Sequence, residues 1–212
     1  MRKMIGQRDF ELFYDYTLIA YENYHNYTLT TLQLNKIVGN TPINYAGYDE
    51  RLDEYNQICK NGFKYWIVTL VFSSLSIEAY LYTLGVELFG EDSMKRIEKM
   101  PIISKWSKIF SDGFEYRFEN NIELHSLIKK MIYTRNMFTH AKSKDHYCPE
   151  NQIEADENWK KYVEKENSFV TPEEICKLLE MLRELITKLK IGKSATIPVP
   201  ATFTDFRNQE DV

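Results

Sequence analysis

The sequence predicts an all-α fold: a helical bundle with an N-terminal helical extension and an extended C-terminal tail. Three observations predict it. Chain breakers are scarce, with 8 Gly and 6 Pro in 212 residues. Apolar residues recur at helical spacing over long stretches. A helix-start signature, Thr171-Pro172-Glu173-Glu174, opens the last of these stretches with a capping box and a proline at the first helical position. A chain of this length buries roughly 70 per cent of its unfolded surface, so its core needs no disulfide or metal. The expected division is an extension over residues 1–62 packed on the bundle, the bundle over 63–191, and a tail over 192–212.

Each element follows from its pattern. From about Asp9 to Ile37, Phe10, Phe13, Tyr14, Thr17, Leu18, Tyr21, Tyr24 and Tyr27 fall on one helical stripe, which Thr41-Pro42 and Gly47 break. A shorter polar helix is expected over Asp49–Cys59, ended by Asn61-Gly62. Phe63–Phe89 is apolar almost all round, the mark of a helix surrounded by others. Its length would suit a membrane span, but Glu78 lies near its middle among Ser73, Ser74 and Ser76, and no basic flank stands out. A buried helix, and no membrane partner, is therefore expected.

Glu91–Phe110 reads as a connection with short helical turns around Met100-Pro101, and Asp112-Gly113 as a turn. Asn121–Lys142 reads as a long helix, and Cys148–Asn167 as a polar, acidic loop. The final helix runs from Thr171 to Lys190, with Ile175, Leu178, Leu179, Leu182, Leu185, Ile186 and Leu189 on its buried face. Gly192 ends it, and Pro198 and Pro200 mark the tail as extended.

Composition narrows the function. The net charge is −4 and the pI about 5.7, whereas proteins that coat nucleic acid through bulk charge are basic, so any RNA contact must be local. Cys59, Cys148 and Cys176 form no CxxC pair, which indicates a reduced, cytoplasmic compartment. Residues 1–9 hold no apolar h-region of a secretory signal. There is no P-loop, no GxGxxG and no GxSxG around the serines, so no cofactor is expected. His140, His146 and Cys148 lack the spacing and fourth ligand of a zinc site. His125 reads as a partly buried polar residue, and His25 as a neighbour of an aromatic core or dimer surface formed with Tyr21, Tyr24 and Tyr27, ahead of a base-stacking platform.

What remains is Arg135-Asn136-Met137-Phe138-Thr139-His140, an R-N-x-x-x-H run in an apolar helical pattern. Arg supplies a permanent planar cation for phosphate oxygens, and His a proton carrier near neutral pH. Leu124, Leu127, Ile128, Met131, Arg135 and Phe138 share one helical face, so Arg135 stands where the pattern wants an apolar residue. Glu78 is the matching anomaly. A Glu78–Arg135 pair resolves both, either as a structural ion pair or as a carboxylate that orients the Arg. Asn136 and His140 are neighbours on the adjacent face, about 140 degrees separating Arg135 from His140. A second copy of the helix would complete such a site, which predicts a homodimer. Lys129, Lys130, Lys142 and Lys144 flank the motif as a phosphate-tracking rim or as a solvated face that complements the helix dipole.

On these residues the chain resembles the HEPN superfamily of all-helical domains, found in prokaryotic defence systems and in some eukaryotic proteins. Arg135, Asn136 and His140 match its hallmark. Phe72–Tyr80, with Glu78 at its middle, is similar to the family's first core helix, and Ile102–Trp106 to the Lys-Trp element that follows. The resemblance spans about residues 63 to 190. It implies a dimeric bundle and metal-independent cleavage of RNA to a 2′,3′-cyclic phosphate and a 5′-hydroxyl. His140 would be the acid–base, Arg135 would act on the phosphate, and Asn136 would hold the RNA or the His. A defence or toxin role, with an antitoxin or other operon partner, goes with it. Lys142 stands two positions after His140, where toxins paired with minimal nucleotidyltransferases carry Tyr, which argues against that branch. The alternative is a non-catalytic module of the same kind that binds RNA, nucleotide or protein.

Overall fold

The apolar rows do fold as helices. The computed structural model describes residues 6–39, 43, 50–139, 168–190 and 199–210, and among these there are helices and no strand. In chain order they are α1 (Gly6–Val38), α2 (Leu52–Phe89), α3 (Glu91–Ile97), α4 (Ile102–Phe114), a 3-10 turn (Phe118–Asn120), α5 (Ile122–Thr139), α6 (Pro172–Leu189) and α7 (Phe203–Glu210).

The long central helix α2 is the axis of the molecule. Its 38 residues span about 57 Å at 1.5 Å per residue. It packs against α1 along its length and against α3, α4, α5 and α6. Leu70, Ile77, Tyr80, Leu81 and Leu84 are at most 2% exposed. By length and composition it could cross a bilayer, and 56% of its most apolar stretch is buried within the structure.

The expected helix end at Asn61-Gly62 is wrong: α2 runs through it unbroken. Gly62 is buried against α1, where a Cβ would lie 3.1 Å from Thr30 Oγ1. The glycine serves close approach of two helices and no turn. The boundary expected after residue 62 thus falls inside a helix. The serines of α2 have the same logic. Ser76 and Thr17 both donate to the Phe13 carbonyl of α1, at 2.9 and 2.8 Å, and Ser74 returns its hydroxyl to the Leu70 carbonyl. Small polar side chains let α1 and α2 approach, with the hydroxyls of Ser74 and Ser76 satisfied and that of buried Ser73 left without a partner among the described residues.

Gly90, at φ +80°, breaks the chain between α2 and α3. The expected turn at Asp112-Gly113 is also wrong. Helix α4 continues to Phe114, and Gly113 makes room for Leu88 and Phe89. Trp106 stacks on Phe110 and Phe118 at ring distances of 5.5 and 5.2 Å, all three fully buried. The capping box of α6 forms as expected: Thr171 Oγ1 accepts from the Glu174 N–H at 3.2 Å, and the Glu174 carboxylate accepts from the Thr171 N–H at 2.9 Å. Its expected core positions, Ile175 through Ile186, are buried.

The tail needs a correction over the described part of it. Residues 199–202 lead into α7, which packs on α1. Phe206 stacks on Tyr21 at 5.7 Å and Phe203 on Tyr24 at 5.2 Å. Arg183 of α6 donates to the Asp205 carboxylate at 2.6 Å, which also accepts from the Thr202 N–H at 2.8 Å. Pro198 and Pro200 suggest an extended chain, but Phe203 and Phe206 are three apart, a helical spacing that buries both rings on one side. The expected break at Thr41-Pro42 and Gly47 and the expected acidic loop over Cys148–Asn167 lie outside the described residues.

Candidate functional site

Helix α5 begins where the Asn121 side chain accepts the Leu124 N–H at 3.3 Å, one of the donors a helix start leaves without a partner. Leu124, Leu127, Ile128, Met131 and Thr134 then bury one face against α2 and α6. One position beyond Thr134 stands Arg135, still turned toward α2. Its Nη1 donates to Glu78 Oε1, and its Nη2 to Asn136 Oδ1 at 3.3 Å. The Arg135 side chain is 20% exposed and that of Glu78 is 37%. The two charges that interrupt apolar rows in the sequence therefore meet.

This arrangement orients a guanidinium. One edge is bound by a carboxylate and an amide oxygen, and the further N–H groups have no partner among the described residues. Such a group can hold two oxygens of a phosphate in fixed directions. Glu78 also lines a cleft of about 310 Å³ with Tyr16, Tyr82, Glu98 and Lys105. Glu78 thus stands at the cleft's wall, and both members of the pair keep some contact with solvent.

The end of α5 is held by aromatic packing. Phe138 meets Trp66 at 5.1 Å, Phe63 at 5.7 Å and Phe169 at 5.4 Å. Trp66 Nε1 donates to the Val170 carbonyl at 3.0 Å, and the Val170 N–H donates to Thr134 Oγ1 at 2.9 Å. The Thr134 hydroxyl in turn donates to the Lys130 carbonyl at 2.8 Å. Residues 168–171 are thus pinned to α2 and α5 together, one turn from Arg135.

Of the remaining site residues, Asn136 and Lys129 are exposed on α5. His140, Lys142 and Lys144 lie outside the described residues, as do His146 and Cys148. Lys130 departs from the expected rim. Its Nζ lies 2.7 Å from both carboxylate oxygens of Glu174 on α6. One residue is about 100 degrees of rotation on a helix, so Lys129 faces solvent while Lys130 faces α6. Burial pushes the Glu174 carboxyl up. Hydrogen bonds from Lys130 and the Thr171 N–H, with the charges of Lys130 and Lys177, outweigh it and hold it below the usual carboxylate range.

Two histidines, His125 and His25, lie among the described residues. His125 is partly buried against the edge of Phe118 at 5.8 Å. His25 is exposed, and the rings beside it, Tyr21 and Tyr24, are covered by α7. Tyr21 belongs to the core, Tyr24 packs half-buried against it, and Tyr27 is half-buried. What the sequence reading missed is Tyr133, 44% exposed, on the face of α5 that carries Lys129 and Asn136. Its i+4 and i+3 spacing to those two residues was the available signal. Comparison with known proteins adds no family to this geometry: no family model, no curated protein and no solved structure matches the chain.

Proposed function

We propose that the protein is a metal-independent endoribonuclease of HEPN type, working as a homodimer in a cytoplasmic defence or toxin role. The observation that carries the reading is the Arg135 guanidinium, bound by Glu78 and Asn136 and followed in sequence by His140. In this reading His140 takes the proton of the 2′-hydroxyl. The 2′-oxygen then attacks the adjacent phosphorus, the bond from phosphorus to the 5′-oxygen breaks, and that oxygen takes a proton from water. Arg135 stabilises the charge that builds on the phosphate oxygens, a contribution of about 3 kcal/mol in a shielded site. Proton transfer by His140 contributes roughly a hundred- to ten-thousand-fold. The products are a 2′,3′-cyclic phosphate and a 5′-hydroxyl.

The net charge of −4, with Lys130 engaged by Glu174, favours a second reading: a module of the same fold that binds RNA, nucleotide or protein and does not cleave. One assay separates the two. Purified protein is incubated with RNA in EDTA, as wild type, H140A, R135A and R135K. Cleavage by wild type alone supports the first reading, with R135K inactive because a point charge does not replace a planar fork. Equal cleavage by wild type and H140A refutes it. No cleavage by wild type transfers the weight to the binding module. Light scattering that finds only monomer at micromolar concentration refutes the dimer.

A further inference from the structure

The solvent face of α5 carries Ser126, Lys129, Tyr133 and Asn136 in steps of three and four, so all four are exposed along one ridge. At 1.5 Å per residue, Tyr133 stands about 6 Å along the axis from Lys129 and about 4.5 Å from Asn136. The Tyr133 ring lies 6.4 Å from Phe169 at an interplanar angle of 39°, and Phe169 packs on Phe138 and Trp66. A ring that is 44% exposed and backed by an aromatic cluster therefore stands on α5 between Lys129 and Asn136, whose side chain accepts from Arg135.

We propose that Tyr133 is the stacking platform for an unpaired base of the RNA substrate, with Lys129 on a phosphate of the same strand. The proposal rests on the ribonuclease reading and assigns the side chains that would hold an unpaired stretch of the substrate. Stacking on an aromatic ring needs a base that is free of its partner, and every base offers a π-face, so the contact selects for strand state and not for sequence. The ridge suits nucleic acid better than a second copy of the chain. Ile122, 78% exposed, begins the ridge, but Ser126 and Lys129 separate it from Tyr133, so the two apolar side chains form no continuous strip. The cation beside the ring supplies the complementary charge.

The test uses the full chain and a single-stranded RNA oligonucleotide made uncleavable by 2′-O-methylation, with one 2-aminopurine moved along it. Wild type should quench the fluorescence at several label positions, since the contact does not select for sequence. Y133A should weaken binding about 5- to 150-fold and abolish that quench. Y133L, which keeps apolar cover on Phe169 without a ring, should behave like Y133A. Y133F and Y133W should retain both signals. K129A should keep the quench and lower the salt slope of binding by about 0.7. On cleavable RNA, Y133A should raise KM by the same factor and leave kcat unchanged. If wild type cleaves RNA while Y133A binds and quenches equally well, the platform is refuted and the ribonuclease reading stands. If Y133A instead converts dimer to monomer with the quench intact, the ridge is an interface between copies and the platform is refuted. If wild type binds no RNA, the proposal and the reading beneath it fall together.

Discussion

Replacing Glu78 with Gln removes a charge while keeping the side chain's shape and one acceptor for the Arg135 N–H. Its cost follows from how far the pair is withdrawn from water. Breaking a fully buried pair costs about 3–5 kcal/mol, because a charge is left without a counter-ion. Breaking an exposed one costs about 0.2–1 kcal/mol. Arg135 retains 20% of its side-chain exposure and Glu78 37%, so the site lies between these limits. The expected loss for E78Q is about 2 kcal/mol, reduced from the buried case by the solvent the guanidinium can still recruit. For a chain of this size each kcal/mol lowers Tm by about 2–4 °C, which places the drop at about 4–8 °C. R135M should cost less, about 1 kcal/mol, since Glu78 is the more exposed partner and can hydrate. The double variant E78Q/R135M should cost less than the two single changes summed, by about 1–2 kcal/mol. The assay is a thermal or urea melt of all four proteins. A coupling energy below about 0.5 kcal/mol would mean that the two side chains are energetically independent, and the argument from paired anomalies would fail.

Acid should expose the carboxylates that anchor α6 and α7. Burial pushes the Asp205 carboxyl up, but hydrogen bonds from Arg183 and the Thr202 N–H, with the Arg183 charge, outweigh it and hold it low; Glu174 is held low in the same way. A depressed folded value gives stability that is present above the unfolded pKa and lost as pH falls through the folded one, so Tm should fall steeply below about pH 4. D205N should start lower at pH 7 and flatten that decline, and an unchanged acid limb would refute the assignment. G85A should destabilise by about 1–3 kcal/mol, because the added methyl meets Met94 Sδ and Ile109 Cδ1 in the packed junction of α2, α3 and α4; a neutral urea midpoint would show that Met94 yields freely. Single-stranded DNA should bind the α5 ridge yet resist cleavage, since it lacks the attacking 2′-hydroxyl, and DNA cut in EDTA would refute the cyclic-phosphate route.

The pairing of Glu78 with Arg135 is legible in the sequence because each breaks an apolar row, and a buried charge demands an opposite one. The α6 start is legible because the capping box is local chemistry over four residues. Lys130 is not, since its role depends on its angle around α5 and on which helix lies there. Nor are Gly62 and Gly113: a glycine at a helix crossing and a glycine at a turn look alike until the neighbouring helix is in place. Helix α7 hides for a related reason. Its eight residues are too few to show a period, and what makes them helical is the tyrosine face of α1, about 180 positions away in the chain.

That distance sets a schedule for synthesis. A ribosome adds about 5–20 residues per second, so Tyr21 emerges about 9–37 s before Phe203 and Phe206. Through that interval α1 can pair with α2, which follows it directly, while the aromatic face that α7 will cover stays open to water. Until α7 is made, the nascent chain thus carries an uncovered tyrosine face that its own later residues will close.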